Sequence, residues 1–416
     1  MIRSITSKLK PAGLTTRAIR KSTIMLSVHS SSGPIIEPIL PQPQPVSVPP
    51  TEIPAPTKGN NKDAKSEAED DVLFEDVADK GVFVLNRPKA LNALNLSMVR
   101  KIYRVLKEWE TSKKLVVVKG ASGKAFCAGG DVKSLVLALN EPGGEAIGQE
   151  FFRAEYTMDH LIGTYKIPYV ALIHGITMGG GVGISIHGKY RVATENTLFA
   201  MPETAIGLVP DVGASYFLPR LKGKLGLFLG LTGQRIKGVD VLLAGIATHY
   251  VPSERIEDLT KALLTTGNID IDSTIKKFQP ENLNQEFSLA PYLSKIDNYF
   301  SAPTVEEIVN RLEADGSDWA KDVLQLLNNM SPTALKMAKI SYDKGSQLSL
   351  AECLKMEYRL MCSTLTKTSD FYEGVRALLI DKDKNPKWNP KTLQEVTDES
   401  IKQRLELLPT SKELQL

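Results

Sequence analysis

Cysteine is scarce in this sequence. Cys127, Cys353 and Cys362 are the only three among 416 residues, too few for a disulfide framework, and they read as reduced thiols of an intracellular protein. Histidine is almost as rare. Five residues are scattered along the chain, with no H-E-x-x-H, C-x-x-C or paired-histidine spacing, so a catalytic zinc site has no support and no metal is expected. No apolar run approaches the roughly 18–20 residues of a membrane span. Charge of one sign is lacking too: 51 Lys+Arg against 48 Asp+Glu leaves +3, so neither nucleic acid nor a membrane surface is an expected partner. What remains is ordinary globular material, 42% apolar and 24% charged, long enough for a sizeable core.

The first 71 residues differ from the rest. Residues 1–33 carry Arg3, Lys8, Lys10, Arg17, Arg20 and Lys21, and no acid precedes Glu37. Basic, Ser/Thr-rich and acid-free, this is the composition of a mitochondrial transit peptide, and Ile24 to Val28 is too short for a secretory apolar block. Residues 34–57 hold nine prolines. Proline fixes φ and lacks an N–H, so neither helix nor central strand forms there. Together with the polar stretch after them, residues 34–71 read as a solvated linker.

From about Val72 the pattern becomes α/β. Val82-Phe-Val-Leu85, Leu115-Val-Val-Val118, Pro168 to Ile173, Tyr190-Arg-Val-Ala193 and Thr197-Leu-Phe-Ala200 are strand-like runs. Ser97 is placed to cap a helix carrying Val99, Ile102, Leu106 and Trp109. Beyond about Ser215 the pattern is mostly helical. This divides the folded part into residues 72–251 and a helical region 252–416.

Some motifs fall away. Gly183-Ile-Ser185-Ile-His187 resembles a nucleophile elbow but has His187 where the last glycine belongs. Gly120-Ala-Ser-Gly123-Lys124 is too short for a phosphate loop, and Gly179 to Gly183 is not a dinucleotide fingerprint. Two glycine turns remain, Ala128-Gly-Gly-Asp131 and Gly179-Gly-Gly181, each between an apolar run and a helix. Glycine permits close backbone approach to a ligand. Two N–H groups converging on one oxygen would make an oxyanion hole, although tight strand–helix packing alone also uses such turns. Asp131 is placed to cap the helix after the first turn. Further on, Glu203 and Asp211 lie in an apolar setting bracketed by Pro202, Pro210 and Gly213. Desolvated there, a carboxylate could serve as general base or acid. A salt bridge to Arg191 or Lys189 fits the spacing equally well.

Taken together, these segments resemble the enoyl-CoA hydratase/isomerase (crotonase) superfamily. The resemblance rests on Asn86-Arg-Pro88 with Asn92-Ala-Leu94, Ala125-Phe-Cys-Ala-Gly-Gly-Asp131, Gly175-Ile-Thr-Met-Gly-Gly-Gly181 and Pro202-Glu203, in family order. Phe151-Phe-Arg-Ala-Glu155-Tyr156, Pro210-Asp211 and the late block from Glu373 to Asp383 are similar to the branch that hydrolyses 3-hydroxyisobutyryl-CoA in valine catabolism. The resemblance implies a ββα spiral core, with helices after it that complete the site and the contacts of a homo-oligomer. It implies an acyl-CoA thioester substrate, no cofactor, and a place in the mitochondrial matrix. It matches Gly130 and Gly180 to the oxyanion donors, Glu203 to the catalytic glutamate, Asp211 to the hydrolase aspartate and Glu155 to a substrate-site acid. The Lys89 to Asn92 turn is where the family approaches CoA. One departure counts against a hydratase: the second hydratase glutamate would stand at position 183, which is glycine. An enoyl-CoA isomerase or a non-catalytic, ribosome-associated role are the alternatives.

Overall fold

Three runs, Val82-Phe-Val-Leu85, Leu115-Val-Val-Val118 and Tyr169-Val-Ala-Leu172, are apolar at every position rather than at alternate ones. Such strands have to be covered on both faces, as parallel strands are. In the computed structural model, which describes residues 70–267 and 270–416, they form the middle of a six-stranded sheet. Its order is β1 (Val72–Val77), β2 (Lys80–Leu85), β3 (Leu115–Gly120), β5 (Tyr169–Leu172), β7 (Tyr190–Ala193) and β10 (His249–Tyr250). Strand β1 pairs antiparallel with β2, and the remaining neighbours are parallel. The segment expected to be a transit peptide, residues 1–33, and residues 34–69 of the expected linker lie outside the described residues. Asp71, at the end of the linker assignment, already belongs to the fold: it is 1% exposed and pairs with Lys101 at 2.7 Å.

A second sheet is built from β4 (Ala125–Cys127), β6 (Ile176–Met178) and β8 (Leu198–Ala200), mutually parallel, with β9 (Ile236–Lys237) antiparallel on β8. The chain climbs between the sheets by repetition. A strand of the large sheet, a short turn and a strand of the small sheet recur as β3–β4, β5–β6 and β7–β8. The turn from β5 to β6 needs Gly175: its φ is +91°, and a Cβ there would lie 2.6 Å from the Lys124 carbonyl oxygen.

Helices fill the connections. Helix α1 (Leu96–Ser112) buries Met98, Val99, Ile102, Leu106 and Trp109, the helical spacing read from the sequence. Its cap is Asn95, whose side chain accepts from the Met98 N–H, and not Ser97, which lies inside the first turn. Asn and Ser cap about equally well, so the choice falls to where the preceding chain leaves the site. Asp131 caps α2 (Val132–Ala138), accepting from the Ser134 N–H. Helix α3 (Gly144–Gly163) is long and largely buried, and α4 (Gly180–Ile186) comes directly after β6.

Among the described residues after Ser215 the regular elements are helices, apart from β9 and β10, which return to the sheet edges. Leu259, Leu263, Ile271 and Ile275 cover one face of the large sheet at Val82, Val117, Val170 and Val192. A larger core runs without interruption from Val72 to Leu414. Helices α5 (Ala214–Phe217), α6 (Pro332–Gly345), α7 (Leu350–Thr364) and α8 (Asp370–Val375) belong to it.

Candidate active site

Neighbouring parallel strands end on the same side, so the segments after β4, β6 and β8 are delivered to one place. Strand β4 leads into Ala128-Gly-Gly130, β6 into Gly179-Gly180, and β8 into Met201-Pro-Glu203. The first two turns meet: a Cβ built on Gly180 would lie 3.3 Å from the Gly130 amide nitrogen. The same position is 2.4 Å from Glu155 Oε1, and a Cβ on Gly179 would lie 2.9 Å from Glu203 Oε1. The glycines are thus needed because two backbone turns and two carboxylates share one small volume. Gly180 opens α4, where an N–H has no partner within the helix.

The segment before α1 braces the first turn. Leu91 and Asn92 both have positive φ, +52° and +58°. The buried Asn92 side chain donates to the carbonyl oxygens of Ala125 (2.9 Å) and Ala121 (3.3 Å) and accepts from the Arg87 N–H. Leu94 then runs beside Gly130, donating to the Gly129 carbonyl and accepting from the Asp131 N–H, each at 2.8 Å. Arg87 closes the brace with an ion pair to Asp131 at 3.0 Å. Beside Gly130 a cavity of about 160 Å³ is lined chiefly by Leu94, Leu96, Leu135, Ile147 and Phe151.

Five carboxyl groups lie buried around these turns: Glu155 and Asp159 from α3, Glu203 and Asp211 from the chain after β8, and Glu357 from α7. Arg191 donates instead to the carbonyl oxygens of Gly188 and Ile246, and Lys189 lies over the Tyr190 ring, so neither makes the salt bridge that the spacing allowed. Glu203 Oε2, Glu155 Oε1 and both oxygens of Asp159 are buried without a hydrogen-bond partner. Burial pushes the Glu203 carboxyl well above the usual carboxylate range, and the charge of Asp211 adds to it. Burial does the same to Glu155, helped by Asp211 and Glu203, and to Asp159, helped by Glu155 and Asp211. Asp211 is raised by burial to about 6, held back by the 2.5 Å hydrogen bond donated by the Tyr156 hydroxyl. An array of this kind suits proton transfer or nucleophilic attack on a bound carbonyl group. Among the described residues no cluster is arranged to hold a metal ion.

Glu155, Glu203, Asp211, Gly130 and Gly180, singled out from the sequence, are therefore brought together. Asp159 and Glu357 escape a reading of the sequence alone. The Asp159 carboxylate fills the space beside Gly183, where a Cβ would lie 2.8 Å from its Oδ2 and 2.8 Å from Val212 Cβ. Its spacing of four residues from Glu155 on an apolar helix was the available signal. Glu357 had none, being 144 residues from its partner Gly213. The late block has a supporting place: Arg376 holds Glu373, Asp381 and Asp383, while Gly207, just past Glu203, packs on the Asp370 backbone.

The spiral of paired strands, with glycine turns and a buried glutamate at its strand ends, is the crotonase-like architecture. The chain belongs to the enoyl-CoA hydratase/isomerase family, whose model matches residues 80–405. It is 54% identical to the mitochondrial 3-hydroxyisobutyryl-CoA hydrolase of Xenopus tropicalis, over 77% of this chain and 85% of that one. With the human protein of the same name the identity is 51%, over 83% and 91%. Among solved structures it superposes on an enoyl-CoA hydratase from Rhodobacter sphaeroides (TM-score 0.76, 37% identity, 83% of this chain and 100% of that one). A carnitinyl-CoA dehydratase from Mycobacterium thermoresistibile gives a TM-score of 0.77 at 38% identity, over 83% and 98%.

Proposed function

We propose that this chain hydrolyses the thioester of 3-hydroxyisobutyryl-CoA to 3-hydroxyisobutyrate and CoA in the mitochondrion. It is an acyl-CoA thioester hydrolase, as its relatives of about 50% identity are named. The observation that carries the chemistry is the buried Glu203 carboxyl, whose Oε2 has no hydrogen-bond partner, beside the meeting point of the Gly130 and Gly180 turns. In this reading the thioester carbonyl oxygen takes hydrogen bonds from the Gly130 and Gly180 N–H groups. Each such donor contributes about 2.7–4 kcal/mol to the transition state. Glu203 either takes a proton from the attacking water or attacks the carbonyl carbon itself, to give an anhydride that water then opens. Both routes consume one water and release the CoA thiol. Asp211 and Glu155 bind the substrate hydroxyl or orient Glu203. The cavity beside Gly130, lined by Asn95, Asp131 and Ser134 as well as by apolar side chains, takes the end of the pantetheine arm that leads to the thioester. The substrate brings its own CoA, and the chemistry requires no further cofactor.

Residue 183 is glycine and lacks the family's second hydratase glutamate, but the Asp159 carboxylate lies beside it, so hydrolysis is favoured over hydration by the names of the relatives rather than by that gap. The test is thiol release from 3-hydroxyisobutyryl-CoA, with crotonyl-CoA hydration run alongside. Wild-type chain should release CoA, and Glu203→Gln should lose about 10²–10⁴-fold in kcat. Near-normal turnover by Glu203→Gln would remove Glu203 from its role. Hydration or isomerisation without CoA release would overturn the hydrolase reading.

A further inference from the structure

Asp211 stands on an unusual turn. The residue after it, Val212, has a φ of +52°, and Gly213 comes next at +85°. A β-branched residue in the left-handed region is a genuine outlier, kept only where the surroundings impose it. Two side chains impose it here. The Glu357 carboxylate, fully buried on α7, accepts from the Gly213 N–H at 2.7 Å through Oε2. Through Oε1 it accepts from the Ser215 N–H at 2.8 Å and the Ser215 hydroxyl at 2.5 Å. His187, at the end of α4, lies with Nε2 2.7 Å from the Val212 carbonyl oxygen. A carbonyl only accepts, so Nε2 carries the proton and the imidazole is the donor. His187 also packs on the turn, since a Cβ on Gly213 would fall 2.4 Å from its Cε1. The turn closes with the Ala214 N–H on the Asp211 carbonyl at 2.8 Å. Asp211 leaves it aimed at the Tyr156 hydroxyl.

We propose that Glu357 and His187 are positioning residues, which hold the Asp211–Val212–Gly213 turn in its left-handed conformation and so aim the Asp211 carboxylate into the site. The inference rests on the hydrolase reading for what Asp211 does there. It gives a role to the histidine that spoils the apparent nucleophile elbow. It also explains why an acidic side chain is buried on a helix of the C-terminal region, where burial raises its carboxyl to about 8. Both oxygens of Glu357 face N–H or O–H donors, and an amide cannot satisfy them all, because its nitrogen would meet a donor.

The test is steady-state kinetics of the full chain with 3-hydroxyisobutyryl-CoA, on Glu357→Gln and on Glu357→Gln combined with Val212→Gly. Misplacing a catalytic group by about 1 Å costs about 10²-fold. Glu357→Gln should therefore lose about that much kcat with KM little changed. Glycine takes a positive φ without penalty, so Val212→Gly should restore about tenfold of the loss. Unchanged kcat in Glu357→Gln, or a loss that Val212→Gly does not relieve, would overturn the proposal. If Glu357→Gln does not fold, His187→Leu and His187→Gln serve instead. The glutamine keeps an N–H donor and should retain activity that leucine loses, and equal activity in the two would count against the clamp. Amide exchange of residues 208–217 gives a readout independent of turnover. It should accelerate in Glu357→Gln, and unchanged exchange would overturn the clamp by itself. Wild-type chain that releases no CoA would instead sink the hydrolase reading.

Discussion

Glu203 and Asp211 each make the other's negative charge more costly, because both are buried and neither faces a cation. A base or nucleophile has to be ionised, so activity should rise with pH as Glu203 loses its proton. Replacing Asp211 by asparagine removes one cause of the Glu203 shift. The acid limb of kcat/KM should move to lower pH in Asp211→Asn, even as the rate falls. An unmoved limb would mean that the two groups do not sense each other. The same burial has a consequence for stability. Asp211 rises from an ordinary 3.8 to about 6 on folding. Below about pH 4 both states hold the proton and the group is neutral to stability. Between about 4 and 6 the unfolded chain ionises first, and stability is lost as pH rises. At about 1.4 kcal/mol per pKa unit, the loss is about 3 kcal/mol, complete above about pH 6. In denaturant melts, the stability difference between wild type and Asp211→Asn should change by about that amount from about pH 4 to about pH 6.

At the scale of elements, the site is a property of strand ends. The turns after β4 and β6 meet only because the small sheet is parallel, and glycine is required where they touch. In Gly180→Ala the new methyl would stand 2.4 Å from Glu155 Oε1 and 3.3 Å from the Gly130 nitrogen. The expected result is a loss of about 10²–10³ in kcat, the effect of one displaced oxyanion donor. Circular dichroism should show the fold retained, and a rate near wild type would argue that Gly180 donates nothing to the reacting oxygen. Much at this scale is legible in the sequence. The all-apolar runs declare buried strands, and the spacing of Val99, Ile102, Leu106 and Trp109 declares a helix. The cap at Asn95 is not legible, since Asn95 and Ser97 have equal intrinsic claims. The two-residue strands β9 and β10 are also too short to carry a pattern of their own.

The whole molecule ties its end to the site helices. Arg153 on α3 donates to the carbonyl oxygens of Lys412 and Glu413 and to the Tyr358 hydroxyl. Arg359 on α7 pairs with Glu413 at 2.8 Å. Leu414 is 1% exposed and belongs to the main core. Helices α3 and α7 carry Glu155, Tyr156, Asp159 and Glu357, so this clasp bears on the site from a distance. Leu414→Ala should cost about 2–5 kcal/mol in denaturant unfolding, the usual range for a buried leucine. A cost near zero would mean that the terminal segment detaches without consequence.

By itself, the sequence determined the α/β pattern, the two glycine turns and the acids Glu155, Glu203 and Asp211. The pattern and the turns are local matters, since apolar periodicity declares a strand or helix and a missing Cβ declares close approach, whereas Glu155 was reached only through the family resemblance, which also decided the reading of Glu203 and Asp211. Only the tertiary structure decided that Glu203 makes no salt bridge, that Asp159 fills the space beside Gly183, and that Glu357 reaches across 144 residues to Gly213. The physical reason is burial. A carboxylate's partners and its proton affinity depend on which elements pack around it, and local spacing carries no record of that packing.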